Sequence, residues 1–190
     1  MSKTQAREFT LKTGEKLIVR TAAPDDARAM LDLARTILTE DLYNIRTLDE
    51  FKMTLDAERD WIQQHLDSTG RIILVAELAG AVAGLLGFEN SSRSRLAHRG
   101  TAHISVLPQH RRKGIATALL HCLIEWAQKN PIIEKLKVTV FATNEPALSL
   151  YEKMGFIEEG RRIKEIKIAP GKYVDEILMC RFVLDRPQGL

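Results

Sequence analysis

The residues Ile104 to Leu120, ISVLPQHRRKGIATALL, join an apolar strand to a basic turn that contains a glycine, and then to an amphipathic helix. The chemistry such an arrangement can perform is anion binding. His103 to Leu107 alternates and is rich in β-formers, Pro108 ends it, and from Lys113 onward Ile115, Ala118, Leu119, Cys122, Leu123 and Trp126 recur at helical spacing. A helix start leaves about four N–H groups unpaired and carries roughly half a unit of positive charge. Gly114 has no side chain to obstruct that opening, and Ala116 is nearly as small. Arg111, Arg112 and Lys113 set three cations beside it, which suits a polyanion such as a pyrophosphate better than a single carboxylate. The spacing Arg-x-x-Gly-x-Ala lacks both the lysine of a P-loop and the three glycines of a dinucleotide fingerprint. A solvated basic helix start has the same residues, and the turn by itself does not choose between the two.

The surrounding chain has 190 residues, 45% hydrophobic and 28% charged, with no Ser-, Gly- or Pro-rich divider, which predicts a single domain over residues 1–190. Its net charge of +3 is spread along the chain with few aromatics between the basic residues, so no nucleic-acid partner is expected. The N-terminal stretch has no apolar run of signal-peptide length, and no uninterrupted apolar segment of about 18 residues occurs, so a soluble, cytoplasmic protein without a membrane partner is expected. Cys122 and Cys180 lie on an apolar helix face and in an apolar strand, without metal-ligand spacing. Both read as core residues, and no metal is expected.

Periodicity then supplies the elements. Lys16 to Thr21 reads as a strand, and Pro24-Asp25-Asp26 opens a helix with Ala27, Met30, Leu31, Leu33, Ala34, Ile37 and Leu38 on its apolar face. A second helix is predicted from about Leu48 to Leu66, with Thr47 or Asp49 near its cap and Phe51, Leu55, Ile62 and Leu66 among its buried positions. Arg71 to Leu78 and Ala81 to Glu89 form a hairpin around Ala79-Gly80, and Ser91 to Arg95 is a basic loop. Lys135 to Phe141 is a strand, Asn144 to Met154 a short helix ending at Gly155, and Phe156 to Ile168 and Lys172 to Leu184 two long strands. Hairpins at both ends and βαβ-type connections in the middle predict a mixed α/β (α+β) sheet with helices packed on it.

Two segments together resemble one family. Arg111-x-x-Gly114-x-Ala116 resembles the acetyl-CoA pyrophosphate loop of the GNAT acetyltransferase superfamily, and about thirty residues later Asn144-Glu145-Pro146-Ala147-Leu148-Ser149-Leu150-Tyr151-Glu152-Lys153-Met154-Gly155-Phe156 resembles its second signature, in the same order and separation. The likeness runs from about Glu77 to Arg181. It implies a strongly twisted mixed sheet of about seven strands, helices on both faces, and central parallel strands that splay apart around the co-substrate acetyl-CoA. By the same resemblance the backbone N–H groups of Arg112, Lys113, Gly114, Ile115 and Ala116 hold the pyrophosphate, with Arg111 opening the motif. Backbone groups of Ile104, Ser105 and Val106 pair with the pantetheine arm, Val106 also donates to the thioester carbonyl, Asn144 bonds the pantetheine region, and Tyr151 meets the departing sulfur.

Acyl transfer to an amine needs a donor at the developing oxyanion, an acceptor for the amine proton, and a group that stabilises the thiolate. A phenol, with an ordinary pKa of about 10, suits the last task. Outside this context Tyr151 reads as a packing aromatic and Asn144 as a helix N-cap, a role compatible with ligand binding. Gly155 reads as a helix stop and Phe156 as core. For the base, Glu89 near a strand end and His103 on the cofactor strand are the candidates, whereas Glu77 reads as surface. Thr101 and His103 stand where relatives show a glutamate and a glycine, so no base carries over from that segment, and a water chain is the alternative.

Acceptor choice in the superfamily lies with the first two helices, their loop and the last hairpin, here about residues 36–51 and 165–175. Glu40, Asp41, Tyr43, Asp49, Glu50, Asp175 and Glu176 fall in or beside these stretches, an acidic excess that suits a cationic amine or a solvated face equally. The resemblance implies direct acetyl transfer from acetyl-CoA to a primary amine of a small molecule, amino acid or protein N-terminus, in a ternary complex. The cysteines lack an activating partner for a covalent route. The alternatives are a non-catalytic acyl-CoA sensor, disfavoured by the presence of both Asn144 and Tyr151, and a nucleotide-phosphate or RNA binder, disfavoured by the missing motifs. A homodimer is implied by the relatives, with no interface legible in the sequence.

Overall fold

The computed structural model describes residues 2–40 and 43–183. Eight strands form one sheet in the order β1-β2-β3-β4-β5-β6-β8-β7: β1 (Arg7–Thr10), β2 (Lys16–Thr21), β3 (Arg71–Leu78), β4 (Ala81–Asn90), β5 (Arg99–Val106), β6 (Lys135–Phe141), β7 (Ile157–Ala169) and β8 (Lys172–Phe182). All neighbouring pairs are antiparallel except β5 with β6, so the sheet is mixed as expected. The expected count was about seven; the additional strand is β1, whose four residues form a mostly exposed edge with no alternating apolar signal. Asp41 and Leu184, used in the sequence reading, lie outside the described residues.

Four helices cover the sheet: α1 (Ala27–Glu40), α2 (Leu55–Leu66), α3 (Ile115–Lys129) and α4 (Glu145–Lys153). Strand β3 is buried from Ile72 to Ala76 because helices cover both its faces. Ile72, Leu74 and Ala76 join Leu119, Leu120 and Leu123 of α3 in the larger core, which also takes Tyr151 and Met154 of α4. Ile73 and Val75 face Met30 of α1 and Ile62 of α2 in the smaller one. Each fully buried leucine of α3 contributes about 1.5–3 kcal/mol, so α3 is the main anchor of the motif it starts.

The second helix starts later than its pattern predicts. The Thr47–Glu50 cap signal is real, since the Thr47 N–H donates to Glu50 at 2.9 Å, but it closes only one turn. Thr54 then caps α2 by accepting from the Ala57 N–H at 3.2 Å, and Phe51 is left outside the helix. Of the four positions expected to be buried, only Ile62 is. The Ala79-Gly80 turn has φ of 50° and 80°, the two positive values that a tight hairpin turn of this hand demands.

Candidate active site

Strands β5 and β6 register over only three residue pairs, Arg99 with Lys135, Gly100 with Leu136 and Thr101 with Lys137. Beyond Thr101 they part, as the splayed-strand expectation requires. The Leu107 N–H donates to the Ala83 carbonyl at 3.0 Å, and antiparallel pairing alternates, so His103 and Ser105 turn their backbone groups toward β4. Ile104 and Val106 turn theirs toward the gap. The Val106 carbonyl accepts from Arg111 Nε at 3.2 Å on that side, in agreement with the alternation. The same alternation turns the backbone groups of Ser105 toward β4, while the residue itself is part of the cavity lining.

At the end of β5 the chain passes through a short 3-10 turn, Pro108–His110, into the basic turn. Arg112 has φ of 62° and Gly114 φ of 105°, and this pair of positive values aims successive N–H groups into one concavity. Gly114 is the N-cap of α3 and supplies no side-chain cap, while the first intrahelical bond runs from Ala118 N–H to the Gly114 carbonyl at 3.0 Å. The N–H groups of Ile115 and Ala116 are therefore unused by the helix. The caps of α2 and α4 differ, because Thr54 and Asn144 each accept a first-turn N–H. A cap without a side chain is what an external anion needs. Two of the three cations have local partners: Arg111 pairs with Glu40, and Lys113 lies 3.1 Å from Glu15. Among the described residues, Arg112 has no ion-pair partner. The turn's attraction for anions thus rests more on backbone and less on side-chain charge than its sequence suggests.

A cavity of about 500 Å³ fills the gap between the strands, lined by Ala102 to Ser105 of β5, Thr139 to Phe141 of β6, and Asn144, Ala147 and Tyr151 of α4. Its opposite wall comes from Ala34, Ile37 and Leu38 of α1, the segment Tyr43 to Arg46, Phe51, and Glu176 of β8. Tyr151 is 7% exposed, its ring packs 5.5 Å from that of Phe156, and burial pushes its phenol up to about 12. At neutral pH it is a donor. Asn144 caps α4 by accepting from the Ala147 N–H at 3.3 Å, as its sequence position predicts, and it also lines the cavity.

His103 lines the cavity beside Ile104. The residue is exposed to solvent, yet partial desolvation holds its pKa below the ordinary 6.5 against the pull of Glu89. Glu89 itself does not line the cavity. Its Oε1 accepts from Trp61 Nε1 at 3.2 Å and lies 3.0 Å from His65 Nε2, the latter without hydrogen-bond alignment. Gly87 and Glu89 share the face that α2 covers, which the strand pattern does not reveal. Glu77 is tied to Arg20 at 3.2 Å, as its surface reading required. Cys122 and Cys180 are buried thiols, the first pushed up to about 11 by burial, and neither is activated.

The site residue that sequence reasoning missed is Phe141 at the β6 end; Phe51 lies in the expected acceptor stretch but outside the helix expected to hold it, and Glu176, named there as part of an acidic excess, lines the cleft. The signal for Glu176 was a carboxylate at the same alternation phase as buried Val174.

Comparison with known proteins places this geometry. The Acetyltransferase (GNAT) family model matches residues 34–156. The chain belongs to that family. L-amino acid N-acetyltransferase AaaT of Escherichia coli (strain K12) is 33% identical over 121 residues, 64% of this chain and 74% of its own. The GNAT-family acetyltransferase of Streptococcus pneumoniae superposes with a TM-score of 0.83 at 29% identity, covering 87% of this chain and 98% of that one. An acetyltransferase of Salmonella typhimurium, solved with its cofactor acetyl-CoA, superposes at 0.80 over 92% of this chain and 98% of that one; at 18% identity it speaks for the fold alone. This GNAT chain is an acetyl-CoA-dependent acyltransferase, and the sensor alternative gives way to that finding. Among its described residues no helix is long and apolar enough to cross a membrane, and no group of His, Cys, Asp or Glu is placed to hold a metal ion.

Proposed function

We propose that the chain transfers the acetyl group of acetyl-CoA directly to a primary amine, with the residues of the splayed gap in the following roles. The observation that carries the proposal is that Ile104, Asn144 and Tyr151 line one cavity where β5 and β6 part, and that the strand bearing Ile104 leads through the Pro108–His110 turn into the glycine-capped start of α3.

The N–H groups of Arg112 to Ala116 hold the pyrophosphate, with Arg111 pinning the turn to β5 through the Val106 carbonyl. Ile104 and Val106 pair with the pantetheine arm as a neighbouring strand would, and Asn144 offers its amide nitrogen from the other side. The amine nitrogen attacks the thioester carbonyl carbon, a C–N bond forms, and the carbonyl oxygen gains the charge that the Val106 N–H stabilises. His103, neutral at pH 7, takes the amine proton, and the charge of Glu89 behind it favours the imidazolium so formed. The C–S bond then breaks. The departing thiolate receives a hydrogen bond from Tyr151, whose phenol at about 12 is too weak an acid to yield its proton to a thiolate whose thiol has an ordinary pKa of about 8.5. The products are the acetylated amine, the CoA thiolate and one proton on His103.

The test is an acetyl-CoA-dependent thiol-release screen over polyamines, amino acids, aminoglycosides and N-terminal peptides. Release with at least one amine class is expected. Tight CoA binding with no release from any of them would overturn the proposal.

A further inference from the structure

The acidic residues gathered around the acceptor side are mostly spent on the protein itself. Glu40 pairs with Arg111, Glu50 accepts from the Thr47 N–H, and Asp175 accepts from Arg161 at 2.8 Å and from the Lys164 N–H at 2.7 Å. Glu176 differs. It is 4% exposed and yet lines the cleft. Arg162 engages its Oε2 at 2.7 Å, but that guanidinium is half-exposed and also lies 3.6 Å from Glu165. A carboxylate so deeply buried against one shared, solvent-facing cation is under-compensated, and an arriving cation would complete it.

Its orientation is set by β8. Ile177 and Met179 belong to the larger core, so Glu176 turns to the other face of the sheet, in register with Phe141 of β6. Arg46 brings the opposite charge to the lining of the same cavity, with its guanidinium 6.0 Å from the Phe51 ring centre. Ile37, Leu38, Phe51 and Phe141 supply apolar surface in the same cavity.

Resting on the acetyl-transfer reading above, we infer that the acceptor is a free α-amino acid with an apolar or aromatic side chain. Glu176 receives its ammonium, Arg46 its carboxylate, and the apolar wall its side chain; one ammonium proton passes to solvent before the neutral amine attacks, and His103 takes the second. One carboxylate and one guanidinium match a zwitterion charge for charge. A polyamine would bring several cations to one carboxylate and set others against Arg46. A peptide N-terminus lacks the α-carboxylate and leaves Arg46 to the nearby charge of Glu50.

The test measures initial rates of CoA release with leucine, phenylalanine, their amides, a peptide beginning with leucine, and spermidine. Wild type, Glu176→Gln and Arg46→Gln are compared, with acetyl-CoA affinity followed by calorimetry. Free amino acids are expected to exceed amides and spermidine in kcat/KM by about 10-fold or more, since a charge-assisted bidentate contact is at stake. Glu176→Gln should raise KM for amino acids about 10- to 100-fold while acetyl-CoA affinity holds. Arg46→Gln should bring the acid-to-amide ratio toward unity; Arg46 is exposed, so this arm stands even if Glu176→Gln does not fold. The inference is overturned if amides or spermidine match the free amino acids, if Arg46→Gln spares that ratio, or if folded Glu176→Gln keeps the wild-type KM. Release from other amines alone overturns this inference and leaves acetyl transfer standing, whereas release from no amine overturns both.

Discussion

Replacing Tyr151 by phenylalanine isolates one atom. The ring stays, 5.5 Å from Phe156 in the larger core, and the hydroxyl it loses has no hydrogen-bond partner among the described residues, so nothing is orphaned. Stability should therefore change by no more than about 0.5–1 kcal/mol. Catalysis should change far more. The phenol at about 12 lies about five units above neutral pH, so only about one molecule in 100,000 is ionised and the donor is always present. Removing one preorganised donor from a developing charge costs about 100- to 1,000-fold in kcat, about 2.7–4 kcal/mol. The assay is steady-state CoA release with the best acceptor from the screen, together with acetyl-CoA affinity by calorimetry and thermal unfolding. kcat should fall by the stated factor, affinity should stay within about 2-fold, and the pH profile below about 10 should keep its shape, because the Tyr151 phenol stays protonated there. A kcat within about 3-fold of wild type would remove Tyr151 from the leaving-group role. An alkaline limb near pH 9–10 that vanishes in the variant would refute the argument from burial.

Gly114→Val tests the turn. An added Cβ would meet only Leu11 at 3.9 Å, so the effect comes from the backbone at φ 105° and from the path of the anion, not from core packing. Acetyl-CoA affinity should weaken about 10-fold or more with far-UV dichroism retained, and an unchanged calorimetric affinity would contradict the assignment. His103 gives a pH signature whose sign follows from its lowered pKa: activity is lost as pH falls through a value below 6.5, where the imidazole takes up a proton and stops being a base. His103→Gln should abolish that limb and Glu89→Gln should move it to still lower pH, since Glu89 now raises it; a limb indifferent to both substitutions would exclude the pair.

Much of this molecule was legible before any fold was known, for local reasons. The bounds of β3 and β6 follow from unbroken β-forming runs, and Asn144 and Gly155 mark the start and stop of α4 because capping is decided within a few residues. The Gly114 turn is a local feature too: a glycine, a helix start and a positive φ lie within neighbouring residues. Features that depend on distant partners were not legible. Thr47 to Glu50 has a valid cap signal and yields one turn, because Thr54 offers a second cap and α2 starts there. Glu89 and His103 look alike on paper as strand-borne bases, but Trp61 and His65 from α2 engage Glu89 and the splay of β6 exposes His103 to the cleft.

The sequence by itself determined the family, the glycine-capped basic turn before α3 and the place of the phenol on α4, because each is written in short-range spacing and local backbone preference. The tertiary structure alone decided which charges remain for chemistry. Arg111 and Lys113 are drawn to Glu40 and Glu15, Glu89 to α2, and Asp175 to Arg161, which leaves Arg112 without an ion-pair partner among the described residues and Glu176 on the cleft wall against the half-exposed Arg162. A charge acts at a distance of a few ångströms in space and is indifferent to distance along the chain, so only the folded arrangement settles which ones are already paired.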